Sequence, residues 1–437
     1  MRFTPKVIPS RRGNVGFIQL NNSKALNSLD LDMVRFLNDV LPTYGYPSTS
    51  SPSTFTSSSS SEHGDSSSSS PGSSAFKATI FTSNNETRKA FCAGGDMKRI
   101  YMAGMGLTKD AKGQDDMNAT ARKNKQHGYG YRGLETADFL YEEYQLNYKI
   151  AMAKSQSNLP QVSIWDGIVM GGGMGISVHG KYRVATENSV FAMPETNIGF
   201  YCDVGATYVL PRLLSGSATA VGNYIALTGS RLQSDDLMYS GLATHYIQSK
   251  HLESLTDAII QKSMEEDFHG DCCAAALMSH HEDIHVGKDG GGFLARHRDW
   301  IEEAFGKKEC MEDIVVALES MKKDGDVNQH SESKSKFAGT TLETLKKMSP
   351  TSLKITLESM HRGKKLDNIA DCLAMEYRMG QVAVRNWEGT DFYEGIRAAL
   401  VDKDRKPKWN PSSLEDVTDE IVNSYFGNLG ENELVLR

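Results

Sequence analysis

Apolar and polar positions in the first half of the chain follow two different periods. Runs at 14–20, 75–83 and 161–167 are short and rich in β-branched and aromatic residues, which is typical of strands. Residues 30–41 and 137–155 place their apolar side chains at helical spacing. This alternation predicts an α/β layered domain with parallel strands, in which ligands bind where loops leave the strands.

Three local patterns refine this picture. Asn27 and Ser28 stand just before the helix expected at 30–41, so we expect them to cap its start. Residues 181–194, KYRVATENSVFAMP, predict one further strand. Residues 206–216, ATYVLPRLLSG, predict a short helix after it.

The second half of the chain is mainly helical. Helical apolar spacing recurs at 351–363, 372–387 and 391–403. We therefore expect a core formed by residues 1–46 and 75–225, and a helical C-terminal region, 226–437, that packs on it.

Four segments predict loops. Residues 47–74 consist almost entirely of Ser, Thr and Pro, with little to bury, and predict a disordered insertion. The polar stretch 104–130 predicts a second long loop, and 285–293 and 322–340 predict shorter ones.

Composition and charge narrow the class of protein. The 437 residues carry a net charge of -7, which disfavours general binding to nucleic acid or to an anionic membrane. No apolar run is long enough to span a bilayer, and the six cysteines lack the spacing of a zinc site, so no metal is expected. The basic first twelve residues contain two prolines, which oppose the amphipathic helix of a transit peptide.

Two glycine-rich turns, CAGGD at 92–96 and MGGGMG at 170–175, each lie between an expected strand and an expected helix. Either turn alone fits a tight connection that needs the freedom of glycine. If both point backbone N–H groups into one crevice, they form an oxyanion hole, with Gly95 and Gly172 as the donors. Neither turn has the spacing of a phosphate-binding loop or of a dinucleotide-binding fingerprint.

Two acidic residues follow the second turn. Glu195 is surrounded in sequence by Phe191, Met193 and Phe200, so its carboxylate is expected to be partly desolvated and suited to proton exchange or attack near neutral pH. Asp203 stands eight residues later, ahead of the expected helix at 206–216, where capping that helix is the alternative role.

The chain resembles the 3-hydroxyisobutyryl-CoA hydrolase branch of the crotonase superfamily. The resemblance is carried by FCAGGD, by GIVMGGGMGISVHGKYRVATENSVFAMPETNIG, by DVGATYVLPRL and by SPTSLKIT, AMEYRM and DFYEGIRAALVDKDRKPKW. It implies the crotonase fold, a spiral of ββα units. It also implies that Gly95 and Gly172 hold the thioester carbonyl, that Glu195 is the main catalytic carboxylate, that Asp203 is the second acid and that Glu143 contacts the substrate.

One position separates this branch from its neighbours. A hydratase of the same fold uses a second glutamate just after the glycine turn, where this chain has Gly175. The chain also departs from the hydrolase pattern, with Cys202 in place of a usual proline and Ala206-Thr207 in place of a Gly-Gly pair. These departures lie on the loop that carries Asp203.

The resemblance implies hydrolysis of 3-hydroxyisobutyryl-CoA, or of a close short 3-hydroxyacyl-CoA, to the free acid and coenzyme A in mitochondrial valine catabolism. The partner is then an acyl-CoA substrate, without a separate cofactor, and a homo-oligomer is possible. Two alternatives remain: hydration or isomerisation of an enoyl-CoA, and a non-catalytic crotonase-like subunit of a mitochondrial ribosome. His179, with no nucleophilic Ser or Cys motif nearby, is expected to be structural.

Overall fold

The computed structural model describes residues 5–47, 76–84, 86, 89–105, 135–216, 219–265, 271–284, 291–323, 329–385 and 390–436. All of the expected disordered insertion at 47–74 except its first residue, and most of the expected loop at 104–130, lie outside these ranges. Among the described residues, no helix combines the length and the apolar character needed to cross a membrane.

Nine strands form two sheets in the part of the chain that the structure describes. The strands are β1 (Val7–Arg12), β2 (Val15–Leu20), β3 (Ala78–Ser83), β4 (Ala90–Cys92), β5 (Gln161–Trp165), β6 (Ile168–Met170), β7 (Tyr182–Ala185), β8 (Val190–Ala192) and β9 (His245–Tyr246). The larger sheet has the order β1-β2-β3-β5-β7-β9, and the smaller has the order β4-β6-β8. Only the β1–β2 pair is antiparallel.

The helices fill the connections and the second half of the chain. They are α1 (Leu31–Val40), α2 (Met97–Gly104), α3 (Glu135–Gln156), α4 (Gly172–Gly175), α5 (Ala206–Val209), α6 (Thr219–Thr228), α7 (Ser234–Ser240), α8 (Leu252–Met264), α9 (Cys272–His280), α10 (Phe293–Arg296), α11 (Arg298–Phe305), α12 (Met311–Lys323), α13 (Gln329–Leu345), α14 (Pro350–Lys365), α15 (Ile369–Arg385), α16 (Asp391–Ile396) and α17 (Asp419–Ser424).

The chain repeats one unit as it winds. The first unit, β1-β2-α1, gives both strands to the larger sheet. The units β3-β4-α2 and β5-β6-α4 each give one strand to the larger sheet, the next strand to the smaller sheet, and then a helix. Because successive units add parallel strands side by side, the carboxyl ends of β4, β6 and β8 lie along one edge of the smaller sheet. The ββα spiral implied by the resemblance is therefore present.

Alternate side chains along the strands of the larger sheet point to its two opposite faces, and each face packs against an apolar cluster. Phe81 and Trp165 belong to the main core, where Trp165 packs against Phe191 of the smaller sheet with ring centroids 6.0 Å apart. Their chain neighbours Ile80 and Ile164 point to the opposite face, into a second apolar cluster with helices α8 and α9. Both faces are covered, as expected for parallel strands.

The C-terminal region is mainly helical, as expected, and it packs on the core. Helix α15 lies against α3, and α14 lies against α5. Helix α6 continues across residue 225, so the expected boundary falls inside a helix. One apolar cluster runs from Val7 to Leu434 and joins both regions.

Several local expectations were wrong. The segment expected to be a loop at 322–340 is helical over its described residues from 329 onward. Residues 181–194 form two strands, one in each sheet, because the chain turns between Ala185 and Val190. The cap of α1 is Asp30, whose carboxylate accepts a hydrogen bond from the Met33 N–H at 2.9 Å, rather than Asn27 or Ser28.

Candidate active site

The two glycine turns meet at the edge of the smaller sheet. Gly95 follows β4 and Gly172 opens α4 after β6, and these strands are neighbours. A Cβ atom added to Gly172 would lie 3.4 Å from the Gly95 nitrogen, and one added to Gly94 would lie 3.7 Å from the Gly172 nitrogen. Within the described residues, neither the Gly95 nor the Gly172 N–H donates a backbone hydrogen bond. Both donors are therefore available to one acceptor.

Side chains cannot be added at these turns without a clash. A Cβ on Gly172 would overlap the Glu143 Oε1 atom, and one on Gly95 would lie 3.1 Å from the Phe139 ring. Gly171 adopts a φ of +44°, in the region that favours glycine. The sequence is glycine-rich here because backbone and carboxylates approach one another closely.

A cavity of about 590 Å³ opens over the two turns. Its walls are largely apolar, and its base carries carboxylates. Exposed lysines lie at its rim. The apolar lining includes Met97, Ile100, Phe139, Ile198, Phe200 and Phe392, and the rim lysines are Lys24, Lys98 and Lys403. A mostly apolar cleft with a few polar groups that converge at its base is typical of a small-molecule site.

Three buried carboxylates, which we call the acid trio, line this cavity: Glu143 on α3, Glu195 at the start of a 3-10 turn after β8, and Asp203 on the loop that follows. A Cβ on Gly171 would lie 2.9 Å from Glu195 Oε1, so this carboxylate faces the glycine turn. Within the described residues, Glu143 Oε1 has no hydrogen-bond partner.

Burial changes the protonation of the acid trio. Burial, reinforced by the negative charge of Asp203, raises the pKa of Glu195 to about 8. Burial likewise raises the pKa of Asp203 to about 7, although the hydrogen bond from Tyr144 lowers it. Burial and the charges of the other two acids raise the pKa of Glu143 well above its usual range. Glu195 and Asp203 therefore exchange protons near neutral pH, the property required of a general base or acid.

Asp203 does not cap the helix ahead of it. Its Oδ2 accepts a hydrogen bond from the Tyr144 hydroxyl at 2.7 Å, one position along α3 from Glu143. The backbone groups at the start of α5 are bound instead by Glu376, whose Oε2 accepts the Gly205 N–H at 2.7 Å. The capping alternative for Asp203 was wrong, and its side chain is free to face the cavity.

The position of the second hydratase acid is closed. A Cβ on Gly175 would lie 2.7 Å from the Val204 Cβ and 2.8 Å from the Asn147 Nδ2. Real Cβ atoms do not approach other atoms so closely. Residues 147 and 204 therefore fill the space that a side chain at 175 would need.

Two buried residues of this site were not assigned from the sequence, Tyr144 and Glu376. Glu376 lies on the apolar face of α15, with the buried residues Cys372, Leu373 and Met379 at helical spacing around it. A carboxylate on the buried face of an amphipathic helix is costly unless it is paired, and this signal could have identified it.

His179 is structural, as expected: its Nε2 lies 2.8 Å from the Val204 carbonyl, and burial lowers the pKa of its imidazole to about 4. Elsewhere in the described residues, Asp271, Cys272 and Cys273 bring their ligand atoms within 4.8 Å of one another. The Asp271 carboxylate already binds Lys181 and Tyr182 and caps α9. The three residues therefore lie close together because they form the start of this helix.

Comparison with known proteins places the chain in a family. A family model described as enoyl-CoA hydratase/isomerase matches residues 71–426. The chain belongs to the enoyl-CoA hydratase/isomerase family. Its members that resemble the chain in sequence include the mitochondrial 3-hydroxyisobutyryl-CoA hydrolases of Rattus norvegicus, Dictyostelium discoideum and Homo sapiens, at 37%, 36% and 35% identity. These alignments cover 98–99% of the chain and 90–93% of the relatives.

Solved structures of the same family share the fold. A carnitinyl-CoA dehydratase from Mycobacterium thermoresistibile matches with a TM-score of 0.73 and 30% identity, covering 99% of each chain. An enoyl-CoA hydratase from Rhodobacter sphaeroides matches with a TM-score of 0.70 and 26% identity, covering 99% of this chain and 100% of that one. The crotonase fold and the resemblance to the hydrolase branch are confirmed.

Proposed function

We propose that the chain hydrolyses the thioester of 3-hydroxyisobutyryl-CoA, or of a close short 3-hydroxyacyl-CoA, to the free acid and coenzyme A. The observation that carries the proposal is the acid trio facing two available N–H groups, with the position of a second hydratase glutamate closed at Gly175. The full-length similarity to hydrolases of this name supports the same reaction.

The Gly95 and Gly172 N–H groups bind the thioester oxygen. As water adds to the carbonyl carbon, negative charge develops on this oxygen, and fixed donors stabilise it without reorganisation. Loss of one such donor typically costs about 100- to 1000-fold in rate. The intermediate then collapses, the C–S bond breaks, and the thiolate of coenzyme A leaves and takes up a proton.

Glu195 works in its ionised form by one of two routes. As a general base it removes a proton from the attacking water, and as a nucleophile it forms a mixed anhydride that water then opens. Asp203 either binds the 3-hydroxyl group or helps to protonate the leaving thiolate, and Glu143 orients the acyl end. The reaction proposed needs no metal and no separate cofactor, since coenzyme A is part of the substrate.

The reaction belongs to valine catabolism, and we assign the chain to the mitochondrion. The curated hydrolases it resembles in rat, slime mould and human are all named mitochondrial.

Thiol release from a panel of acyl-CoA esters tests the proposal. The wild-type chain should release coenzyme A fastest from 3-hydroxyisobutyryl-CoA, with and without EDTA, and should hydrate crotonyl-CoA poorly. Glu195→Gln should lower kcat at least about 100-fold, the usual range for a general base. Glu187→Gln, a change at an exposed carboxylate in the turn between β7 and β8, is the matched control and should retain activity.

Faster turnover of crotonyl-CoA than of any 3-hydroxyacyl-CoA would establish the hydratase alternative instead. Absence of turnover on the whole panel, together with binding to mitochondrial ribosomes, would establish the non-catalytic alternative.

A further inference from the structure

We propose that Glu376, on the C-terminal helix α15, is a positioning residue that holds the Asp203 carboxylate in its working orientation. This inference rests on the proposed function, because it needs Asp203 to act in thioester hydrolysis. Glu376 lies 173 positions after Asp203 in the chain, and nothing in the local sequence around Asp203 indicates such a partner.

Glu376 binds the chain immediately after Asp203 at three points. Its Oε2 accepts the Gly205 N–H at 2.7 Å, and its Oε1 accepts the Thr207 N–H at 3.0 Å and the Thr207 hydroxyl at 2.6 Å. The side chain of Glu376 is fully buried. Hydrogen bonds to a buried carboxylate are among the stronger ones, because the acceptor is charged and water does not compete.

The segment held in this way is strained. Val204, the residue after Asp203, has a φ of +55°, which is unfavourable for a β-branched side chain. Such a conformation costs on the order of 1–3 kcal/mol and persists only where its surroundings enforce it. Glu376 fixes the residue on the C-terminal side of Val204, while the His179 ring binds the Val204 carbonyl at 2.8 Å.

A second connection runs from Glu376 to the Asp203 side chain itself. The Tyr201 hydroxyl donates to the Glu376 carbonyl oxygen and lies 3.3 Å from the Tyr144 hydroxyl. Tyr144 in turn donates to Asp203 Oδ2 at 2.7 Å. The backbone after Asp203 and the carboxylate of Asp203 are thus both connected to one turn of α15.

Burial and hydrogen bonding act in opposite directions on Glu376. Burial raises the pKa of Glu376 to about 8, and the three donors from Gly205 and Thr207 lower it. All three groups donate, so they favour the ionised form, in which both oxygens are acceptors. The replacement Glu376→Gln keeps the shape of the side chain but puts an NH₂ group where one oxygen stood.

A double-mutant cycle tests the proposal, with kcat/KM for 3-hydroxyisobutyryl-CoA as the readout. Glu376→Gln should lower kcat/KM by about 10- to 100-fold, the loss that a misplacement near 1 Å can cause. In the Asp203→Asn background the same change should cost less than about threefold, because the group that Glu376 positions is already gone. Equal losses in the two backgrounds would overturn the proposal.

Two further comparisons keep the test independent of folding. Asp236→Asn weakens another buried carboxylate, which binds the Leu294 N–H at 2.7 Å far along the chain from Asp203. It should lower Tm without changing kcat/KM. If Glu376→Gln does not fold, Thr207→Val and Thr207→Ser form the matched pair, since only the serine keeps the hydroxyl. Valine should lower kcat/KM and serine should not, and equal activities would refute the positioning role.

The experiment also separates this proposal from the proposed function. Failure of the wild-type chain to release coenzyme A from any 3-hydroxyacyl-CoA contradicts the function itself. A wild-type chain that is active, with Glu376→Gln equally active, contradicts only the role of Glu376.

Discussion

At the scale of single residues, the site concentrates three acids where ionisation is costly. Glu143, Glu195 and Asp203 share one apolar cavity, so each charge that forms disfavours the others. Burial raises the pKa of all three carboxyl groups, and the charges of the neighbouring acids add to the rise for Glu143 and Glu195.

We predict that kcat/KM rises with pH around pH 7–8. Both proposed routes need ionised Glu195, and burial raises its pKa to about 8, so activity is low where the acid is protonated and increases as the proton leaves. An exposed glutamate would place the rise near about pH 4.3. The measurement is kcat/KM from pH 4 to 10 in buffers of constant ionic strength.

The variant Asp203→Asn tests whether the increase of kcat/KM with pH comes from Glu195. The charge of Asp203 raises the pKa of Glu195. In Asp203→Asn that charge is absent, so the activity that remains should increase at a lower pH than in the wild-type chain. An unchanged midpoint in this variant would show that the rise reports another group.

Much of the residue-level site could be predicted from the sequence, because Gly95, Gly172 and Glu195 lie in short local motifs. Their mutual approach depends on neighbouring parallel strands, which the alternation of elements predicted. The support of Asp203 by Tyr144 and Glu376 could not be predicted, since it joins segments 59 and 173 positions away along the chain.

At the scale of elements, the proposed oxyanion donors, Gly95 and Gly172, depend on two strand-turn-helix connections. Each donor stands at the carboxyl end of a strand in the smaller sheet, just before or at the start of a helix. Helix α3 lines the cavity with residues spaced one turn apart, namely Phe139 and Glu143, while Tyr144 beside them binds Asp203. Their positions therefore follow from helix and strand geometry rather than from flexible loops.

We predict that Gly172→Ala lowers kcat by up to about 100-fold, the loss that a misplacement near 1 Å can cause. The variant keeps the N–H group at position 172, but the added methyl group would overlap Glu143 Oε1, so the Glu143 carboxylate has to move. Gly339→Ala is the control, because its Cβ would meet only Lys322 atoms at 3.8 Å or beyond in a helix interior. It should keep activity and raise stability by about 0.5–1 kcal/mol. Thiol release and thermal unfolding measure the two effects.

Element boundaries were harder to predict than element types. Residues 181–194 are apolar and β-rich throughout, so nothing in the pattern indicated that the chain leaves one sheet and enters the other. The segment from 329 to 340 is polar and was expected to be a loop, yet buried Phe337 and Ala338 fix it as part of α13. Tertiary packing decided both cases.

At the scale of the whole molecule, the net charge is negative, whereas the exposed side chains named at the rim of the cavity are positive. The chain carries -7 overall, while three exposed lysines, Lys24, Lys98 and Lys403, lie at the rim of the cavity. Positively charged lysines at the rim attract the phosphate groups of coenzyme A. The negative charge of the rest of the chain disfavours binding of larger polyanions.

We predict that KM for the coenzyme A thioester increases with NaCl concentration. Salt screens exposed charges over about 8–10 Å at 0.1–0.15 M, which weakens attraction between the rim lysines and the phosphates. The matching pantetheine thioester, which lacks the nucleotide, should show a much smaller increase. Lys403→Gln should reduce the salt dependence for the full substrate, and Lys250→Gln, distant from the rim, should not. Equal salt dependence for the two thioesters would contradict the role of the lysines.

The closed space beside Gly175 restricts how this chain can diverge to a new reaction. A glutamate at 175 meets the Val204 Cβ and the Asn147 amide at once, so introducing that acid alone disrupts packing before any new chemistry can be selected. Val204 also belongs to the strained loop that carries Asp203, so making room there changes the existing reaction. An acid at position 175 therefore requires accompanying changes at Val204 and Asn147 before it can take part in a reaction.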